Sequence, residues 1–263
     1  MGHAINHLSL TSGGQDDAPA PDLRLTEPLT GQMDKLLALP ALPGVAPARL
    51  TAWEQLRVLR TRILDLARER DLRRILVTSA VSGEGKTLIA ANLALSLSQL
   101  EDKRVLVVDA DLRRPSLQTI FARGVKAGLS DCLDGGPAWT EALIRLHPQL
   151  DYLPCRPAAS DSVELLNRRR LTDMMDEFTA AYDLVVVDSA PMSPIADTQV
   201  LARLVDGAVL VVRSGLAPYQ LVRQAAQMLE PKLLGVVLNG LERVTRRDYA
   251  YGYYAPRTEE ETR

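Results

Sequence analysis

Apolar positions between residues 51 and 240 follow two patterns that take turns along the chain. Short, continuous, β-branched runs occur in "RRILVTSA", "RVLVVDAD", "DLVVVDSAP", "GAVLVVRS" and "LLGVVLN", and "LDYLPC" reads as a further short strand. Runs of this kind predict strands buried on both faces. Between them lie longer segments of helical character: "KTLIAANLALSLSQL", "DSVELLNRRRLTDMMDEFTAAY", "DTQVLARLV" and "PYQLVRQAAQML". The alternation predicts an α/β fold, a doubly wound and mostly parallel sheet with helices on both faces. Such sheets bind ligands at the carboxyl ends of their strands.

A further helix is expected to start at Thr51, with Thr51 as N-cap and Glu54 at the capping-box spacing. At about 100° per residue, Ala52, Leu56, Leu59, Ile63 and Leu66 share one stripe, the core face. Glu54, Arg57 and Thr61 lie opposite, and Arg60 lies on the flank.

The two ends of the chain break the pattern. Residues 1–48 contain "SGGQDDAPAPD" and "LPALPGVAPA", without sustained periodicity, and read as a flexible arm with at most a short helix around Met33–Leu39. Residues 49–243 form the expected domain, and residues 244–263 a flexible tail. The tail carries "RRDYAYGYYAP", so Tyr249, Tyr251, Tyr253 and Tyr254 crowd together in a chain with seven tyrosines in all. Alternation of 249, 251 and 253 would also suit an edge strand. Charged flanks, Gly252 and Pro256 favour an exposed tail.

The first strand runs into "AVSGEGKT" and then a helix. With Ala80 in place of the first glycine, residues 80–87 have the spacing of a phosphate loop, which makes the sheet one of the P-loop NTPase type. Ser82, Gly83, Glu84 and Gly85 would offer backbone N–H groups to phosphate oxygens, and the new helix its positive end, around Leu88. Lys86 would supply a point charge and Thr87 a hydroxyl for Mg²⁺. Two more strands end in carboxylates beside this loop: Asp109 and Asp111 on one, Asp188 on the other. Carboxylates there either hold Mg²⁺, take a proton from a nucleophile, or simply cap the next helix.

Composition narrows the field. A formal charge of −2 gives no global basic field for nucleic acid. Cys132 and Cys155 lack metal-ligand spacing, and no stretch approaches the roughly 20 apolar residues of a membrane span. The N-terminus does not have the pattern of a secretory signal. The expectation is a cytoplasmic protein that reaches a membrane only through a partner.

Together the phosphate loop, Asp109-Ala110-Asp111-Leu112-Arg113, Asp188, the terminal tyrosines, and Glu54, Arg57 and Arg60 in an E-x-x-R-x-x-R pattern resemble the bacterial tyrosine kinases over residues 50–255. The resemblance implies an ATP- and Mg²⁺-dependent autokinase in which Thr87 and Asp188 organise the metal and Asp109 supports its water shell. Asp111 would accept the tyrosine proton, and Arg113 would steady the phosphates or the incoming tail. Asn239 would either contact the base or form a strand-end turn. It further implies a ring of subunits joined through Glu54, Arg57 and Arg60, with tail tyrosines offered to a neighbour's site. A membrane-anchored polysaccharide co-polymerase would activate the kinase, a tyrosine phosphatase would oppose it, and capsule or exopolysaccharide export would be controlled. Rival readings are a partitioning or septum-positioning ATPase, and a non-catalytic nucleotide-binding module. The first usually has a lysine where this loop has Val81.

Overall fold

Seven strands and nine helices account for the described part of the chain, which in this computed structural model comprises residues 46–121, 124–158, 161–193 and 196–240, with side chains from Gln55 onward. The strands are β1 (Arg74–Ser79), β2 (Val105–Asp109), β3 (Ile144–His147), β4 (Leu150–Leu153), β5 (Leu184–Asp188), β6 (Gly207–Arg213) and β7 (Leu233–Asn239). Their order across the sheet is β3-β4-β2-β5-β1-β6-β7. All neighbours are parallel except β3, which pairs antiparallel with β4.

The continuous apolar runs now have a physical reason. Leu76, Leu106, Val108, Val185, Val187 and Leu210 point into one core. Ile75, Val77, Val105, Val107, Val186 and Val209 point into the other. Alternate residues face opposite sides of a strand, so a sheet covered on both faces needs apolar side chains at every position.

One face is covered by α1 (Ala46–Arg70), α2 (Lys86–Leu97) and α3 (Leu117–Phe121). The other is covered by α4 (Leu129–Leu133), α5 (Trp139–Ala142), α6 (Ser162–Asn167), α7 (Arg169–Ala181), α8 (Asp197–Leu204) and α9 (Tyr219–Leu229). Helix α2 is apolar nearly all round because it lies between the sheet and α1. On α1 the expected stripe is present: Leu56 and Ile63 are buried, and Leu59 and Leu66 are half-buried.

Three expectations need correction. Helix α1 begins at Ala46, inside the stretch read as the arm, so Thr51 lies within the helix and does not cap it. The segment from 161 to 182 is two helices, parted at Arg168, whose backbone is extended. Its guanidinium donates to Leu133 O and Asp134 Oδ1, and these tertiary bonds draw the chain out of the helix. Third, the edge strand β3 and the short helices α3, α4 and α5 were not foreseen. The short helix near Met33–Leu39 and the tyrosine cluster lie outside the described residues. Cys132 and Cys155 are both buried, and burial pushes their thiols up to about 11 and about 12.

Candidate nucleotide and phosphoryl-transfer site

Strand β1 delivers the chain to a tight loop at its carboxyl end. Gly83 and Gly85 have φ of 87° and 94°, left-handed values that favour glycine. A Cβ on Gly85 would come within 2.3 Å of Asn239 Nδ2. Among the described non-glycine residues only Asp71 has positive φ, so Ala80 stands without strain at the first position of the motif. Ser82 and Gly83 form the exposed crest, whereas Leu88 is half-buried on the new helix. The end of α2 has no side-chain cap, which leaves its first N–H groups for an anion.

The side chain of Glu84 is buried inside this loop. It accepts hydrogen bonds from Val81 N (2.8 Å) and Arg213 N (3.2 Å), bracing the loop against the end of β6. Asn239 donates from Nδ2 to Glu84 O (2.9 Å) and accepts from Gly240 N (2.9 Å). Its amide thus ties the end of β7 to the phosphate loop, and it is a turn residue as well as a loop neighbour.

Lys86 is buried, and its ammonium has three oxygen partners close by. They are Thr87 Oγ1 at 3.1 Å, Asp111 Oδ2 at 3.2 Å and Asp188 Oδ1 at 3.7 Å. The Thr87 hydroxyl also shares a hydrogen bond with Ser116 Oγ at 3.1 Å.

The carboxylates differ sharply in their surroundings. Asp109 and Asp188 pair in register on adjacent strands. Asp109 Oδ2 accepts from Ser116 N and Leu117 N, each at 3.0 Å, and Oδ1 from Asp111 N at 3.3 Å. It therefore shapes the turn after β2 and caps the start of α3. Burial, then the nearby Asp188, push its carboxyl up to about 8 against the pull of those amides. Asp188 is fully buried, and neither of its oxygens has a hydrogen-bond partner. Burial pushes it up to about 6, moderated chiefly by the Lys86 ammonium. Asp111 is also buried; its Oδ1 accepts from Arg114 N at 3.0 Å while Oδ2 faces Lys86.

Arg113 does not point at the loop's lysine. Its Nε and Nη2 donate to the two oxygens of Asp197 at 3.0 and 3.1 Å. Asp197 and Ser116 are the site residues that sequence reasoning missed. On α1, Arg57 is exposed, and Arg60 Nη1 donates to Ser96 O at 3.0 Å, tethering α1 to the last turn of α2. The side chain of Glu54 is outside the described set. A surface cavity of about 440 Å³ lies elsewhere, at the amino ends of the strands between α8 and α9, and takes no part in the site.

Residues 73–245 match the family model of the cellulose biosynthesis protein BcsQ. The chain is 36% identical over 205 residues to the tyrosine-protein kinase YwqD of Bacillus subtilis, covering 76% of this chain and 85% of that protein. The solved kinase domain of the Escherichia coli tyrosine kinase ETK superposes with a TM-score of 0.69 at 32% identity, over 77% of this chain and 80% of that one. The chain belongs to the bacterial tyrosine-kinase family. A further relative is far longer. The succinoglycan biosynthesis transport protein ExoP of Rhizobium meliloti is 35% identical over 63% of this chain, which spans 22% of that protein. In this kinase the phosphate loop, Lys86 and the three strand-end carboxylates come together as the motif spacing predicts. The tail tyrosines lie outside the described residues. Elsewhere, Tyr152 and Tyr182 are buried, and Tyr219 is exposed at the head of α9.

Proposed function

We propose that this chain is an ATP- and Mg²⁺-dependent protein-tyrosine kinase that phosphorylates Tyr249, Tyr251, Tyr253 and Tyr254 on a neighbouring copy. The observation that carries the reading is the buried Lys86 ammonium set between Asp111 and Asp188 at the foot of the phosphate loop. Two buried carboxylates around one lysine suit a site that must bind phosphate and take up a proton.

Thr87 and Asp188 suit Mg²⁺. The two unpartnered oxygens of Asp188 are costly to bury without a ligand, and a hydroxyl stands next to the lysine. A bound Mg²⁺ supplies charge neutralisation for the phosphates. Asp109, already occupied by backbone N–H groups, stands behind these two and fixes the turn. Lys86 and the loop amides hold the β- and γ-phosphates. The tyrosine oxygen forms a bond to the γ-phosphorus as the bond to the ADP oxygen breaks. The phenol has a pKa of about 10, so its proton needs an acceptor within reach, and Asp111 takes it. Asn239, fixed against Gly85, is placed to meet the nucleotide from the side of β7.

Glu54 and Arg57 of α1 form the subunit contact of a ring, and Arg60 fixes the helix that carries them. None of the described helices is long and apolar enough to cross a membrane. The proposed setting is the cytoplasm at the inner membrane face, where a membrane-anchored co-polymerase activates the kinase and a phosphatase reverses it. The names of the matched family and of ExoP, cellulose and succinoglycan biosynthesis, support control of polysaccharide polymerisation and export. The rival ATPase reading would give ATP hydrolysis without phosphotyrosine.

The test is an anti-phosphotyrosine blot with ATP and Mg²⁺ on the wild type and on Lys86→Met. Signal in the wild type alone is expected. A second arm mixes Lys86→Met, with its tyrosines intact, with an active chain whose four tail tyrosines are Phe. Labelling of the inactive chain is expected; labelling that never leaves an intact active chain would refute transfer between copies.

A further inference from the structure

Asp197 is a buried carboxylate that the proposed chemistry does not use. It is 1% exposed, opens α8, and binds the half-exposed guanidinium of Arg113 through two near-parallel hydrogen bonds. The pair joins residues 84 apart in sequence. We propose that Asp197 is a positioning residue for phosphoryl transfer, holding Arg113 and, through it, the turn that carries Asp111.

The turn after β2 is anchored from within by Asp109, which accepts from the amides of Asp111, Ser116 and Leu117. Asp111 in turn accepts from Arg114 N. These bonds give the turn its shape, but all of them lie inside it. Outward, Ala110 N donates to Asp188 O on β5 at 2.7 Å, and Leu112 O accepts from Ala158 N at 2.9 Å, so the backbone on either side of Asp111 is tied to its neighbours. The Arg113–Asp197 pair adds a side-chain tie from the far side of this turn to the start of α8. Asp197 stands at the start of α8, and the next residue, Thr198, donates from Oγ1 to Ala190 O at 2.7 Å, two residues past Asp188. Thr78 on β1 donates to the same carbonyl at 2.9 Å. The clamp therefore ties the Asp111 turn to the segment that follows Asp188. A guanidinium with both Nε and Nη2 engaged on one carboxylate fixes orientation as well as distance, which an ammonium cannot do. Small displacements of a reacting group are expensive in rate: about 1 Å can cost on the order of 10²-fold.

The inference rests on the kinase reading for its rate measurement but not for its structural one. Four variants separate the possibilities: Asp197→Ala, Asp197→Glu, Arg113→Lys, and the double variant Arg113→Ala with Asp197→Ala. The double variant removes both charges and so guards against loss of fold from an unpaired buried carboxylate. Each is measured for thermal unfolding, for affinity toward a fluorescent ADP analogue, and for the rate of phosphotyrosine formation at saturating ATP. Hydrogen exchange is followed at the amides of Asp111, Arg114, Ser116 and Leu117.

Asp197→Ala and the double variant are expected to slow phosphotyrosine formation about tenfold or more per folded molecule, with ADP-analogue affinity within about threefold of wild type. Arg113→Lys should fall with them, and Asp197→Glu should recover part of the rate. The four amides should exchange faster in Asp197→Ala. Unchanged rates per folded molecule in Asp197→Ala, or full activity in Arg113→Lys, would overturn the proposal. So would slower transfer with wild-type exchange at the turn. A wild type that never forms phosphotyrosine counts against the kinase reading instead, and the exchange measurement then decides whether Asp197 holds the turn.

Discussion

The mouths of β2 and β5 lie side by side, end in aspartates paired in register, and are built in opposite ways. At β2 both oxygens of Asp109 are occupied by backbone N–H groups of its own turn. At β5 both oxygens of Asp188 are buried and lack a close hydrogen-bond partner, with the Lys86 ammonium at 3.7 Å and the Thr87 hydroxyl as partial compensation. A buried carboxylate with both oxygens engaged by backbone amides is a structural element. One left unmatched is poised for something that arrives later. The contrast separates which aspartate shapes the site from which one serves it, although both read alike as strand-end acids.

The largest expected effects come from the serving side. Asp188→Asn and Lys86→Met should each lower phosphotyrosine formation by roughly 10²- to 10³-fold or more, because aimed charge supplies most of the stabilisation in phosphoryl transfer. Both should remain folded by circular dichroism. Retained phosphotyrosine in either would remove the distinction drawn here. The shaping side should fail differently. Asp109→Ala leaves three amides without their acceptor and should cost about 2–4 kcal/mol in urea unfolding, with activity lost through a displaced turn. If it unfolds like wild type but loses only activity, Asp109 belongs with Asp188 after all.

A smaller effect tests the loop that both mouths face. Gly85→Ala meets a left-handed backbone and a Cβ position 2.3 Å from Asn239 Nδ2. It should cost about 1–2 kcal/mol and weaken ADP-analogue binding, and Asn239→Ala in the same chain should relieve part of the loss. The smallest effect is in pH. Burial pushes Asp109 and Asp188 up to about 8 and about 6, above the ordinary carboxylate value of 3.8. The folded chain therefore holds protons that the unfolded chain has released. This contribution to stability is fully present below pH 3.8 and is lost as pH rises through about 6 and about 8. Melting temperature in buffers across that range should show the fall, and Asp188→Asn should flatten it. A melting curve of Asp188→Asn as steep in pH as wild type would place the burden on other groups.

Much of this was legible in the chain. The phosphate loop is contiguous, so its spacing carries its geometry, and each parallel strand announces itself by burying both faces. What escaped depends on contacts between distant segments. Thr51 and Glu54 have capping-box spacing, yet the helix runs through them from Ala46, because local spacing alone cannot show that a turn of helix precedes it. The arginines at 168–170 look continuous with their helix until Leu133 O and Asp134 claim Arg168. Asp197 reads as an ordinary acid in a first helical turn; nothing near it in sequence points to Arg113. The choice between cap and ligand for Asp109 was open because Ser116 and Leu117 lie seven and eight residues on, in a turn without periodicity.

The contact between Lys86 and Asp111 also has a consequence in time. On the proposed mechanism, Asp111, which takes the tyrosine proton, lies 3.2 Å from the Lys86 ammonium that binds phosphate. One cannot begin its task until the other has been drawn to its own. On that proposal a tyrosine entering before nucleotide would meet a carboxylate already engaged, and one entering after it a carboxylate set loose. On that proposal the pair would favour nucleotide first and phenol second, as a latch against a tyrosine arriving early.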